Sequence, residues 1–137
     1  DRDCALAMID LDRFKAVNDT WGHLAGDSIL IDFAKTVSAN IRPYDLFGRY
    51  GGEEFLVVFS DTDKPRAADV MERILHLVRD RTVPFNGGTL SCTFSCGITG
   101  RSECGNKAPA AETMIETADR RLYAAKNGGR NMVVSEG

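Results

Sequence analysis

Long apolar runs are missing from this 137-residue chain, and so is any surplus of positive charge. No stretch of 18 apolar residues occurs, so no segment of it reads as a membrane-spanning helix. No basic-then-apolar leader of the secretory kind opens it either. The expectation is a cytoplasmic protein, or the cytoplasmic part of a membrane-anchored one. A net charge of −3 argues against a general nucleic-acid binder, which usually carries a basic face. Any phosphate ligand must therefore be held by a local basic site. The four cysteines, Cys4, Cys92, Cys96 and Cys104, include no C-x-x-C pair, and no histidine pair completes a zinc set. They read as reduced thiols, since disulfide frameworks belong to small secreted chains. Also absent are the G-x-x-x-x-G-K-[ST] phosphate loop, the G-x-G-x-x-G turn and the G-x-S-x-G elbow.

What is present suits one domain. At 43% apolar and 27% charged residues the chain can bury a core, about two thirds of its unfolded surface at this length. Ala5 to Ile9 reads as a buried strand. Asp12 can cap a short helix over Arg13 to Thr20. A longer helix, about Leu24 to Ile41, would bury Ile29, Leu30, Phe33, Ala34 and Val37. Asp45 to Tyr50 and Glu53 to Phe59 read as strands joined by Gly51-Gly52, where both turn residues can need φ > 0. Ala67 to Arg79 is an amphipathic helix with Val70, Ile74, Leu77 and Val78 inward. Gly87-Gly88 joins strands at Val83 to Asn86 and Thr89 to Thr93, and Phe94 to Thr99 continues as strand, so Thr89 to Thr99 could be one long strand. Glu112 to Lys126 is the last helix, ended by Gly128-Gly129, and Met132 to Val134 closes the chain as a strand. The order implies an α+β fold with a central mixed, mostly antiparallel sheet flanked by helices.

Several residues could do chemistry. Asp10 ends the first strand, the edge where open α/β sheets bind ligands; it could equally be a capping aspartate. Gly51-Gly52-Glu53-Glu54-Phe55 puts two carboxylates on a tight hairpin, an arrangement suited to Mg²⁺ held by few carboxylates plus substrate phosphates. Strand alternation sends residues 53 and 54 to opposite faces, so only one shares a metal with Asp10 unless the turn distorts. A charged, merely solvated hairpin tip is the alternative. Asn18 and Asp27 bracket Trp21-Gly22-His23-Leu24-Ala25-Gly26. A carboxylate can accept the paired N1–H and N2–H₂ donors of guanine; helix capping would also explain either residue. His23, with no second ligand nearby, reads as structural. Lys15, Lys126 and Arg130 are candidate phosphate contacts or simply solvated cations.

Together these runs resemble the signatures of GGDEF domains. Asp10-Leu-Asp-Arg-Phe-Lys-Ala-Val-Asn-Asp-Thr-Trp-Gly-His-Leu-Ala-Gly-Asp27 is similar to the opening one. Arg49-Tyr-Gly-Gly-Glu-Glu-Phe55 resembles the naming motif in its GGEEF form. Ser95-Cys-Gly-Ile98 is similar to the S-x-G-[IV] strand, and Ala118-Asp-Arg-Arg-Leu-Tyr-Ala-Ala-Lys-Asn-Gly-Gly-Arg-Asn131 to the closing signature. The matches are in order and span nearly the whole chain.

The resemblance implies a fold like that of nucleotidyl cyclases and polymerase palms. It implies a diguanylate cyclase that condenses two GTP into cyclic di-GMP and two pyrophosphates. Asp10 and Glu53 would ligate Mg²⁺ or Mn²⁺ with the Leu11 carbonyl. Asn18 and Asp27 would read guanine, with Phe14, His23, Gly51 and Gly52 along the substrate. Lys126 and Arg130 would hold the β- and γ-phosphates with Lys15 nearby, and Glu54 would serve at the catalytic centre. Each domain binds one GTP, so a homodimer is implied. Arg42-Pro-Tyr-Asp45 is similar to the R-x-x-D product-inhibition motif, with Arg73 as a further arginine.

The chain departs from the family in three places. A helix carrying D-x-L-T-G-L-x-N-R before the first strand is not in this sequence, so the expectation is a fragment whose sensor or regulatory domain lies upstream. The third motif position is Glu rather than Asp. Arg121 stands where a small or apolar residue is frequent, on what reads as an exposed helix face. The alternatives are an inactive GGDEF domain that binds GTP or cyclic di-GMP and signals by contact, and a different cyclase or palm-like enzyme using the same two-carboxylate logic.

Overall fold

The computed structural model describes residues 3–105 and 110–137. In chain order its elements are β1 (Cys4–Leu11), α1 (Phe14–Trp21), α2 (His23–Ser38), β2 (Leu46–Gly51), β3 (Glu54–Ser60) and α3 (Lys64–Asp80). Then come β4 (Val83–Phe85), β5 (Gly88–Leu90), β6 (Phe94–Gly100), a 3₁₀ turn (Arg101–Cys104), α4 (Ala110–Asn127) and β7 (Met132–Val134). Five strands form one sheet in the order β2-β3-β1-β6-β7, antiparallel except for the β6–β7 pair. β4 and β5 form a separate hairpin. This is the expected α+β arrangement, with a mostly antiparallel sheet flanked by helices.

Strand alternation divides the core in two. On β1, Ala5, Ala7, Ile9 and Leu11 join a cluster with Phe33 and Val37 of α2 and Met71 and Ile74 of α3. Leu6 and Met8 face the other way, onto Met114, Ala118 and Leu122 of α4. β3 follows the same rule: Phe55, Val57 and Phe59 belong to the first cluster, Leu56 and Val58 to the second. Side chains two apart share a face, so the next even positions, Asp10 and Glu54, belong to the α4 side.

Gly97 sets how closely α4 approaches the sheet. A Cβ there would lie 2.1 Å from the Ala118 carbonyl oxygen and 2.2 Å from the Leu122 nitrogen. Helix backbone thus rests on strand backbone, which only glycine permits.

Several expectations need correction. The first hairpin turns at Gly52-Glu53, not Gly51-Gly52. β2 runs through Gly51, its ladder shifts between Arg49 and Gly51, and Gly52 takes φ 50°. The second turns at Asn86-Gly87, with φ of 47° and 79°, the pattern of a two-residue I′ turn. Thr89 to Thr99 is not one strand: β5 and β6 belong to different sheets. α2 ends at Ser38, and on α3 Leu77 is exposed while Met71 and Leu75 are buried. Asp12 does not cap α1, whose N-cap Arg13 has left-handed backbone and no side-chain cap. Arg121 is buried rather than exposed. It bonds the Ile98 carbonyl at 2.8 Å and both Glu103 oxygens at 2.9 Å.

Candidate active site

Asp10, at the end of β1, is the Cα partner of Glu54 in the β1–β3 ladder. Residues opposed across an antiparallel pair project to the same face. Lys126, in the last turn of α4, closes over them and forms an ion pair with the Asp10 carboxylate. Asp10 is 6% exposed. Burial pushes its carboxyl above the usual carboxylate range, against the lowering pull of Lys126, and the charges of Glu53 and Asp12 push further. Glu54 is raised too, by burial first and then by Asp10. Desolvation and like charge both disfavour the ionised form, so this pair is set up to accept additional positive charge.

Glu53 sits in the turn rather than on the strand, so alternation does not govern its direction. Its charge acts on both Asp10 and Glu54. The turn is fastened at two points. The Leu11 N–H donates to the Glu53 carbonyl at 3.2 Å, and the Arg49 guanidinium donates to the Gly52 carbonyl at 2.6 Å. Among the described residues no group of three or more His, Cys, Asp or Glu side chains is arranged to hold a metal. The donor set still fits Mg²⁺, which takes one or two protein carboxylates and leaves its other positions to water and phosphate.

A second cluster lies where α1 meets α2. The Asn18 side-chain Oδ1 is buried with no hydrogen-bond partner. A Cβ on Gly26 would lie 2.0 Å from that oxygen and 2.9 Å from the tip of the Phe14 ring. Glycine here keeps open the space beside the amide. An unsatisfied buried acceptor costs about 1–3 kcal/mol, and a ligand donor would remove that cost. Asp27 follows Gly26 and is exposed, as is His23.

The remaining candidates stand apart from the carboxylates in their bonding. Lys15 is exposed and pairs with Asp19 at 3.3 Å. Arg130 is exposed just past α4, with φ 64°. Arg42, Asp45 and Arg73 are brought together, with Asn40, Thr62 and Arg66, around a pocket of about 250 Å³. Arg42 forks onto Asp45 with two contacts of 3.3 Å and also donates to the Ser60 carbonyl at 2.7 Å and to the Thr62 hydroxyl. Asp45 is buried and accepts the Ser60 N–H at 3.1 Å, so this is not a loose surface pair. Arg73 reaches the Asn40 carbonyl at 3.5 Å.

Sequence reasoning missed Asp12 as a bonding centre. It is 7% exposed, and its carboxylate accepts from Thr93 Oγ1 and Ser95 Oγ at 2.6 Å each and from the Asn131 N–H at 3.0 Å. No local signal marks it: Asp12 lies one residue past β1, where strand alternation no longer governs direction, and its donors come from residues 93, 95 and 131.

Among the described residues no helix is long and apolar enough to cross a membrane. The family model described as "Diguanylate cyclase, GGDEF domain" matches residues 1–132. Diguanylate cyclase A of Treponema denticola is 39% identical over 129 residues, 94% of this chain and 34% of that protein, so the chain spans about a third of that relative. The diguanylate cyclase SiaD of Pseudomonas aeruginosa, solved with its activator SiaC, superposes with a TM-score of 0.90 at 38% identity. That alignment covers 98% of this chain and 50% of SiaD. The GGDEF domain of DgcB from Caulobacter crescentus, solved in complex with c-di-GMP, gives a TM-score of 0.87 at 33% identity. It covers 97% of this chain and 77% of the DgcB chain. With its paired strand-end carboxylates, its GGEEF hairpin and a match over nearly its full length, this chain belongs to the GGDEF family of diguanylate cyclase domains.

Proposed function

We propose that two copies of this chain, each holding one GTP, condense their nucleotides into cyclic di-GMP and release two pyrophosphates. The observation that carries this reading is the register of Asp10 against Glu54 on one face of the sheet, with Lys126 over them. That places two acids of high proton affinity beside a cation at a strand-end edge.

Asp10 and Glu53, with the Leu11 carbonyl, would hold Mg²⁺ or Mn²⁺. When bound, the cation would supply positive charge to the reacting phosphate and the attacking oxygen. Asn18 offers its unpartnered Oδ1 to a guanine N–H, and Asp27 accepts from the neighbouring donors. Phe14 and His23 flank the base. Lys126 and Arg130, aided by Lys15, neutralise the β- and γ-phosphates, and Gly51 and Gly52 let the hairpin backbone come close. The ribose 3′-oxygen of one GTP bonds to the α-phosphorus of the other, and the bond from that phosphorus to the bridging oxygen breaks. Pyrophosphate carries the electron pair away. Glu54 takes the hydroxyl proton, a role its raised proton affinity suits. The step occurs twice per product.

One domain holds one nucleotide, so the reactive pair forms only across a two-fold arrangement. Arg42, Asp45 and Arg73 form the product-binding inhibitory site, and a sensor or regulatory segment outside this chain controls pairing. The site of action is the cytoplasm.

The test is chromatographic detection of cyclic di-GMP after incubating the chain with GTP and Mg²⁺, with and without a fused dimerising segment. Product is expected, with a specific rate that falls steeply on dilution of the unfused chain and no product from Glu54→Gln. GTP binding without product from the fused dimer would leave the binding-module reading in its place. ATP consumed as readily as GTP would point to a different cyclase.

A further inference from the structure

We infer that Asp12 is a positioning residue: its carboxylate fixes the turn after α4 against β1 and β6, and so sets where Lys126 and Arg130 stand relative to Asp10. The inference rests on the phosphate-binding reading of Lys126 and Arg130.

Two distant segments converge on this side chain. Thr93, just before β6, and Ser95, on β6, each donate a hydroxyl at 2.6 Å, and the main-chain N–H of Asn131 donates at 3.0 Å. Asp12's own N–H donates to the Thr93 carbonyl at 2.9 Å, which locks the β1 end of the junction. All of these side-chain partners are neutral. A buried carboxylate held by neutral donors makes strong, directional bonds, and here they join pieces of chain 81, 83 and 119 residues apart.

The turn needs such an anchor. Arg130 and Asn131 are consecutive non-glycine residues in left-handed backbone, at φ 64° and 51°. That conformation is disfavoured for residues with a Cβ and persists when surrounding bonds over-determine it. The Gly128 N–H donates to Ala124 O at 2.8 Å and the Arg130 N–H to Ala125 O at 3.0 Å, which tie the turn to its own helix. Asp12 ties it to the strand that carries Asp10. The spacing between the acid at the end of β1 and the cations at the end of α4 therefore passes through this carboxylate.

Asp12→Asn keeps the volume but removes the charge and one acceptor. Calorimetric titration with α,β-methylene GTP and Mg²⁺ reads the phosphate grip, and competition by guanosine reads the base site alone. The analogue is expected to bind about tenfold more weakly to Asp12→Asn, with guanosine unchanged. Thr93→Val, which removes one donor and leaves the carboxylate, should shift analogue affinity in the same direction by less; it carries the test if Asp12→Asn does not fold. In a double-mutant cycle Arg130→Ala should cost less in the Asp12→Asn background than in the parent. A folded variant with unchanged analogue affinity, or one that loses analogue and guanosine equally, would overturn the inference. A parent that binds guanosine but gains nothing from the triphosphate would instead overturn the phosphate-binding reading beneath it.

Discussion

Asp10 and Glu54 stand opposite one another across the β1–β3 ladder, and burial raises the proton affinity of both against the opposing pull of Lys126. Because burial raises both, the folded chain holds protons there more tightly than the unfolded chain does. Stability from these groups is therefore present at low pH and lost as pH rises through their raised values. Asp10→Asn in metal-free buffer should leave the melting temperature unchanged or raised, and flatten its decline with pH above the usual carboxylate range. The same substitution should cut cyclic dinucleotide synthesis by at least about a hundredfold, since even partners of metal ligands cost 10–100-fold. Thermal melts across pH and product assays check the two halves.

Gly26→Ala tests the proposed base site without replacing any residue proposed to touch guanine. Its new methyl would occupy the position 2.0 Å from Asn18 Oδ1, the free end of a side chain that can move. Folding should survive, with a loss of about 1 kcal/mol. GTP affinity should drop by roughly tenfold or more as the amide is displaced, measured by titration calorimetry.

The two halves of the R-x-x-D pair should behave differently. Asp45 is buried and satisfies the Ser60 N–H, so Asp45→Ala should lower unfolding stability by about 1–3 kcal/mol in a urea titration. Arg42 is exposed. Arg42→Ala should relieve inhibition by added cyclic di-GMP while the initial rate holds, and equal inhibition of parent and variant would refute the product site.

Arg121 and Glu103 form a pair that includes none of the residues proposed to act on the nucleotide. The Arg121 guanidinium beside Glu103 holds that carboxyl well below the usual carboxylate range. A lowered folded value means the stability is present above the unfolded carboxyl's pKa of about 4.3 and is lost as pH falls through the folded one. Arg121→Met should cost about 1–3 kcal/mol near neutrality by removing the guanidinium's bonds to Glu103 and to the Ile98 carbonyl while Lys64 stays paired with Glu103, and the deficit should shrink in acid. Urea unfolding at two pH values measures it.

Some of this was legible in the sequence. Apolar runs fixed β1, β3 and β6, and the acids at their ends needed only register to meet. The GGEEF hairpin was visible, but its turn was not: the shift between Arg49 and Gly51 pairs Gly51 with Glu54 and so leaves Gly52-Glu53 as the fold-back, and that irregularity has no signature in the local pattern. Arg121 is not legible as a core residue because a polar side chain at a core-facing position looks like surface until its partners, here Glu103 and a strand carbonyl, are known. The same holds for Asp12, since a capping role is local whereas its donors lie at the start of β6 and beyond α4. On α3 periodicity alone puts Leu77 on the inward stripe; contact with the sheet instead buries Met71 and Leu75.

Gly97 has a bearing on how this domain tolerates change. Since α4 meets β6 main chain to main chain, the height of the helix body above the sheet is a backbone dimension, whereas the turn that follows the helix is held through Asp12. Swaps among the leucines and methionines around the helix can alter how firmly it is gripped yet leave its height above the sheet alone. A single methyl group at residue 97 would act as a shim, lifting Lys126 from the acid it covers.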